Sequence, residues 1–259
     1  MKTKLTVVKI GGEIINNSDK LDAFLEDFIR LDQPKILVHG GGKIATELSK
    51  NLGIKTRMHE GRRITSKENL DVVTMVYAGL INKKITATLQ SKGCNAVGLS
   101  GADANCISAT KRPANPIDFG FVGDIETINS KVIDLFVNNN MIPVFSAICH
   151  DTNGQLLNTN ADTIASEIAI SMSKQYDTDL FYCFEKKGVL MDVNDENSVI
   201  EKINTEDYQS LKSKKIIHDG MLPKMENSFY ALNNKVSKVM IGNTSSINNR
   251  DEAHTLLTL

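Results

Sequence analysis

The sequence predicts an α/β protein: a three-layer sandwich with a central, mostly parallel sheet flanked by helices. Three observations predict it. Short apolar runs recur along the chain, and stretches with apolar residues at helical spacing separate them. Strands that alternate with helices pair in parallel, because each crossover returns the chain to the same edge of the sheet. Glycine clusters end two of the apolar runs, VVKIGG and LVHGGGK, where a strand would turn into a helix. With 259 residues, 41% of them hydrophobic, the chain can bury such a core as one large domain or two lobes.

The elements follow in order. Leu5–Ile10 is apolar and short enough for a strand. Asp19–Arg30 spaces Leu21, Phe24, Leu25, Phe28 and Ile29 as one helical face. Lys35–Val38 is the next strand and Lys43–Leu52 the next helix. Asn69–Gln90 reads as one or two helices. Strands are expected at Asn95–Leu99, Met141–Phe145, Leu180–Phe184 and Lys238–Ile241, and helices at Ala161–Met172 and Met225–Asn233. Residues 101–130 are rich in Gly, Asp, Asn and Pro, with a β-like piece at Phe119–Val122. They read as a loop or hairpin excursion near an active site. The polar stretch at Met172–Asp179 precedes a fresh strand, so the lobe boundary is placed there, giving lobes 1–173 and 174–259. No internal repeat or low-complexity segment is visible.

Composition excludes several classes. A formal net charge of -1 gives no reason to expect nucleic acid or an anionic membrane as partner. No stretch is long enough to span a bilayer, and Lys9 interrupts the first apolar run too early for a signal peptide. The expected location is the cytoplasm. Cys94, Cys106, Cys149 and Cys183 form no CxxC pair and read as reduced, mostly buried thiols rather than nucleophiles.

Four motifs can carry chemistry. Lys9 precedes Gly11-Gly12, and Gly40-Gly41-Gly42 opens the second helix. Glycines at such turns let backbone amides approach a ligand, and a helix N-terminus favours anions. A single pair would be turn glycines only; two such turns with a strand lysine point to a phosphoryl site. Neither turn fits GxxxxGK(S/T) or GxGxxG, so phosphate must be cradled another way. In EGRRITSKEN, Arg62 and Arg63 stand before an N-cap-like Thr65/Ser66. An isolated pair would be a solvated turn, but a guanidinium here can clamp a carboxylate with two hydrogen bonds. In LLNTNAD, Asn158, Asn160 and Asp162 precede an apolar helix, where they can cap it or order charged groups. In HDGMLPK, Asp219-Gly220 signals a turn and Lys224 leads into a helix; alone, Lys224 would be a surface lysine.

These pieces, in this order, resemble the N-acetylglutamate kinases of the amino acid kinase superfamily. The resemblance runs over nearly the whole chain: KIGG, HGGGK, GRRIT, GLSGADAN, GFVGDI, LLNTNAD, EKKGVL and HDGMLPK. It implies ATP-dependent phosphorylation of the γ-carboxylate of N-acetyl-L-glutamate, a step of arginine biosynthesis, with Mg²⁺ carried by the nucleotide and no dedicated metal site. It implies that Lys9 and Lys224 stabilise the transferring phosphoryl group and that Asp162 orients both. Gly11 and Gly12 would face the phosphates; Gly41, Gly42, Arg63 and Asn158 would hold the substrate. Glu185, Lys186, Lys187, Gly188, Val189 and Leu190, with Ile216, Ile217 and His218, would line the nucleotide pocket. The N-terminal lobe would bind the acylglutamate and form the interface of a homodimer, and the C-terminal lobe would bind ATP. One lysine would come from each lobe, so closure of the lobes is expected. The chain departs from the pattern at Glu185-Lys186-Lys187, where the family commonly has Asp-Val. It also starts almost at the first strand, whereas arginine-regulated members carry an N-terminal helix that links dimers into a ring; the expectation is a dimer without that feedback. The alternatives are the same reaction on another N-acylglutamate such as N-succinylglutamate, a sister carboxylate or carbamate kinase, and a non-catalytic amino-acid sensor of the same fold.

Overall fold

The computed structural model describes residues 2–32, 34–59, 61–218, 220–249 and 251–259. Asp219, expected at a turn, lies outside the described residues. In chain order the elements begin β1 (Lys4–Ile10), α1 (Gly12–Ile15), α2 (Ser18–Ile29), β2 (Lys35–His39), α3 (Gly42–Asn51), β3 (Arg57–His59), β4 (Arg62–Ile64), α4 (Lys67–Thr74), a π-helical segment (Met75–Ile81) and α5 (Asn82–Ser91). Then come β5 (Ala96–Leu99), β6 (Ile107–Lys111), β7 (Gly123–Ile128), α6 (Ser130–Asn138), β8 (Ile142–Ser146), β9 (Ile148–His150), β10 (Leu156–Asn158) and α7 (Ala161–Met172). The last are β11 (Asp177–Cys183), β12 (Lys202–Ile203), α8 (Thr205–Ser213), α9 (Met221–Asn233), β13 (Lys238–Gly242) and β14 (Thr255–Leu257).

Two compact units result, and they do not follow chain order. One comprises Met1–Lys35 and Ala165–Leu259; the other is Ile36–Ile164. The 1–173 and 174–259 division therefore differs from the observed one. The physical reason is strand pairing. β1 runs parallel to β11 over its whole length, from Lys4 beside Asp177 to Ile10 beside Cys183. That ladder ties the N-terminus to the end of the chain.

In the first unit the strand order is β12-β14-β13-β11-β1. β1, β11 and β13 are parallel, and β14 is antiparallel to β13. β11 is buried from Thr178 to Cys183, the near-continuous pattern of a parallel strand covered on both faces. α2 is capped by the Asn17 side chain, which accepts from the Lys20 N–H, and it buries Phe24, Leu25 and Phe28. α8 opens with a reciprocal capping box between Asn204 and Asp207.

In the second unit β2, β8 and β5 are parallel neighbours, in the order β2-β8-β5. A second sheet, β10-β9-β6-β7, contains the excursion expected at 101–130, and its β6–β7 pair is a hairpin. The β-like piece at Phe119–Val122 lies just before β7. It exchanges backbone hydrogen bonds with Thr65, at 2.9 Å from the Thr65 N–H to the Phe119 carbonyl and 2.8 Å from the Phe121 N–H to the Thr65 carbonyl. β3 and β4 form a short antiparallel hairpin that carries Arg63. Glycine-rich turns follow β1 and β2 at their carboxyl ends, the edge where ligands bind in parallel sheets.

Candidate active site

In the first unit, register brings the two expected lysines to one residue. Lys9 lies beside Tyr182 in the parallel ladder. Lys224, in the first turn of α9 and largely buried, holds its ammonium 4.7 Å from the centre of the buried Tyr182 ring. An ammonium over an aromatic face is attracted by the ring quadrupole, most strongly when desolvated. Lys9 and Lys224 thus belong to the same unit, not to opposite lobes, so closure of two lobes cannot be argued from the lysines. Cys183 is next in β11. Burial pushes its thiol up to about 12; Thr244 donates against that rise, and the Lys9 and Lys224 ammoniums pull it down more weakly. A thiol held neutral is no nucleophile. Of the four cysteines, three are buried and Cys94 is partly exposed.

The glycine turn after β1 divides its work. Gly11 donates its N–H to the Cys183 carbonyl at 2.9 Å, extending the ladder. Its amide is therefore engaged within the protein and does not face a phosphate, contrary to the expectation for Gly11. Gly12 opens α1, where an N–H has no partner inside the helix.

A cavity of about 550 Å³ in this unit is lined by Lys186, Gly188, Val189, Leu190, Ile216 and His218, all expected there. Phe184, Met191, Asp192, Val193, Lys215 and Met221 complete the lining. Three expected residues do not line it. Glu185 is exposed, Ile217 is buried in the core, and the Lys187 ammonium donates to Asn197 at 3.3 Å. Met191 and Val193 are exposed apolar residues beside the basic Lys186 and Lys215. Such a mixture offers a flat apolar surface for a base and cations for phosphates. Two apolar residues inside the polar stretch MDVNDEN were the signal in sequence.

In the second unit Gly41, Gly42 and Arg63 come together. Arg63 is buried, whereas Arg62 is exposed. Through Nη2, Arg63 donates to the Gly42 carbonyl at 3.0 Å and to Thr46 Oγ1 at 2.7 Å; Nη1 reaches Thr56 Oγ1 at 3.3 Å. Tyr77, from the π-helical segment, joins this group. Burial raises its phenol, with the Arg63 charge and hydrogen bond opposing. Asn158 is buried at the end of β10 and donates to Thr65 Oγ1 at 3.0 Å. In the turn before α7, the Asn160 side chain accepts from the Asp162 and Thr163 N–H groups, at 2.7 and 3.3 Å. Asn160 is therefore the cap, and the Asp162 carboxylate sits in the first helical turn with capping already done. Thr46, Tyr77 and Tyr182 were not anticipated; single residues inside regular helices and strands give no local signal. A second cavity, about 630 Å³, touches Thr65, Ser66, Asn69 and Gly120 but none of Gly41, Gly42, Arg63 or Asn158.

A mostly parallel α/β fold, glycine turns at strand ends, and a lysine pair in the same unit as a cavity of about 550 Å³ fit a phosphoryl-transfer class without a P-loop. The amino acid kinase family pattern matches residues 4–243, and the chain belongs to that family. It is 52% identical over 245 residues to the acetylglutamate kinase of Cytophaga hutchinsonii, covering 94% of this chain and 93% of that protein. It is 50% identical to the acetylglutamate kinase of Phocaeicola vulgatus, covering 96% of each. Among solved structures it is similar to smu.665 from Streptococcus mutans UA159, with a TM-score of 0.81, 27% identity and 98% of both chains covered.

Proposed function

We propose that the protein is an ATP-dependent acetylglutamate kinase of arginine biosynthesis. The observation that carries the reading is the pairing of Lys9 and Lys224 at Tyr182. A carboxylate oxygen of the substrate attacks the γ-phosphorus of MgATP, the bond to the β-phosphate oxygen breaks, ADP leaves, and an acyl phosphate forms. The substrate carboxylate is already ionised near neutral pH, so no general base is needed. What remains is to hold two anions and to screen charge as it moves. Lys9, Lys224 and the Gly12 amide screen the phosphoryl group. The cavity at Gly188–Leu190 and His218 takes the nucleotide. Gly41, Gly42, Arg63 and Asn158 take the acylglutamate. The enzyme acts in the cytoplasm as a homodimer, for which the exposed Met75 and Leu80 supply apolar surface; light scattering of the purified protein tests that state.

The reaction is tested by ATP consumption with hydroxylamine trapping of acyl phosphate. N-acetylglutamate, N-succinylglutamate, glutamate, aspartate and carbamate are offered side by side. Turnover is expected on N-acetylglutamate. Turnover on N-succinylglutamate alone moves the acyl group, turnover only on an unacylated acid moves the protein to a sister kinase, and none on any leaves a sensor. Lys9→Ala is expected to stay folded and lose about a hundredfold or more in kcat, the scale of one preorganised donor removed. A fully active, folded Lys9→Ala protein contradicts the assignment.

A further inference from the structure

We propose that His39 and Asn82 are positioning residues for the glycine-rich loop, clamping the Gly40 carbonyl and thereby aiming the Gly41 amide at the substrate. The proposal rests on the reading of that loop as the acylglutamate loop.

His39 ends β2 and is buried. Its Nδ1 lies 2.9 Å from the Gly40 carbonyl oxygen. A carbonyl oxygen only accepts, so Nδ1 carries the proton. Its Nε2 lies 3.1 Å from Asn82 Nδ2, an amide nitrogen that only donates, so Nε2 is bare. One neutral tautomer satisfies both contacts. The other tautomer would set a lone pair against the carbonyl, and the imidazolium would set N–H against N–H. The Asn82 amide is oriented independently. Its Nδ2 also donates to the Val144 carbonyl at 2.8 Å, and its Oδ1 accepts from Lys83 Nζ at 3.2 Å. Lys83 in turn reaches the Gly98 carbonyl at 2.9 Å.

A chain of hydrogen bonds therefore runs from β5, through the start of α5 and β8, to β2, and ends on Gly40. Gly98 makes room for it. A Cβ there would collide with Asn82 Oδ1 and lie 2.6 Å from Thr86 Oγ1. Beyond the clamp, Gly41 adopts a φ of 156° against Ile81 and Tyr77, on the helical stretch that also carries Asn82. The Gly42 carbonyl is taken by Arg63. In a planar trans peptide the C=O and the following N–H point opposite ways. Fixing the Gly40 oxygen on His39 thus turns the Gly41 N–H away from the clamp, which makes it a fixed donor for an anionic substrate.

The test uses chemistry that a purely structural role would not distinguish. The amide nitrogen of Asn overlays Nδ1 of His, whereas the end of Gln overlays Nε2. In the full-length protein, with each variant melting above the assay temperature, His39→Asn keeps the donor to Gly40. It is expected to raise KM for the acylglutamate no more than about threefold. His39→Gln loses that donor and is expected to raise KM about tenfold or more, with KM for ATP unchanged. Asn82→Asp puts an acceptor against Nε2, favours a proton there, and is expected to follow His39→Gln. A folded His39→Gln enzyme with wild-type KM for the acylglutamate overturns the proposal, as does an equal rise in both KM values. Long-range ¹H–¹⁵N correlation on the wild-type protein measures the tautomer without catalysis. A neutral ring protonated on Nδ1 from pH 6 to 8 is expected, and any other form overturns the clamp. If the wild type phosphorylates no acylglutamate while the tautomer is as stated, the substrate reading has failed and the positioning role falls with it.

Discussion

His39 shows how much one buried side chain can carry. Burial pushes its imidazole down to about 4; the hydrogen bond to Gly40 opposes this, and the Lys83 ammonium adds to it. In the unfolded chain it titrates near 6.5. As pH falls, the unfolded state therefore takes the proton first. Stability from this residue is intact above about pH 6.5 and declines until about pH 4. Between pH 7 and pH 5 the loss is on the order of 2 kcal/mol. It should be absent in His39→Asn, so urea midpoints of the two proteins should converge as the pH is lowered. Equal acid sensitivity in both would show that His39 titrates normally. Little of this was legible in the sequence. HGGGK marked the loop through its glycines, and the histidine before them looked like the end of a strand. Its partner is 43 residues away, on a helix whose buried face is set only by packing. Arg63 was legible through the resemblance, which aligns it, and not Arg62, with the GxRxT arginine; the structure buries Arg63 and exposes Arg62, since neighbours on a strand face opposite ways.

At the scale of elements, the helical stretch from Lys67 to Ser91 explains the glycine loop. Its middle, Met75–Ile81, is π-helical. Wider turns of this kind are rare and frequent at functional sites. Tyr77 and Ile81 both press on Gly41, where a Cβ would strike Ile81 Cδ1 and sit 3.0 Å from Tyr77 Cδ1. Gly41→Ala should cost about 1–3 kcal/mol by overpacking, with added strain from the positive φ. The cost should shrink in an Ile81→Ala background, because the truncated side chain vacates the space. Chemical denaturation of the four proteins of this cycle measures the coupling, and strict additivity would mean that the clash is relieved elsewhere. Apolar periodicity found this helix but not its π turn, since both helix types bury a stripe. The capping of α7 was legible as three candidates, Asn158, Asn160 and Asp162; backbone geometry alone assigns it to Asn160. Short strands such as β3, β4, β12 and β14 are two or three residues long and carry no periodic signal.

At the scale of the molecule, the fold class followed from alternating strands and helices, but the membership of the units did not. Which strands become neighbours depends on contacts far apart in sequence. β1 and β11 are separated by most of the chain, yet they pair in parallel from Lys4 beside Asp177 to Ile10 beside Cys183. The consequence is that Ala165–Leu259 lacks part of its own core when cut from the rest. Leu5, Val7, Val8 and Ile10 of β1 are buried, as are Phe24, Leu25 and Phe28 of α2. Burying an aliphatic or aromatic side chain contributes about 1.5–3 kcal/mol, so these residues together contribute roughly 10–20 kcal/mol, as large as the whole stability of a typical domain. A fragment of residues 165–259 should therefore show no cooperative thermal transition and poor amide dispersion. Adding residues 1–35, in trans or fused through a linker, should restore both. A fragment that melts cooperatively by itself would mean that β11 and β13 suffice for a core, and that the N-terminal strand is an accessory to this unit and not part of its foundation.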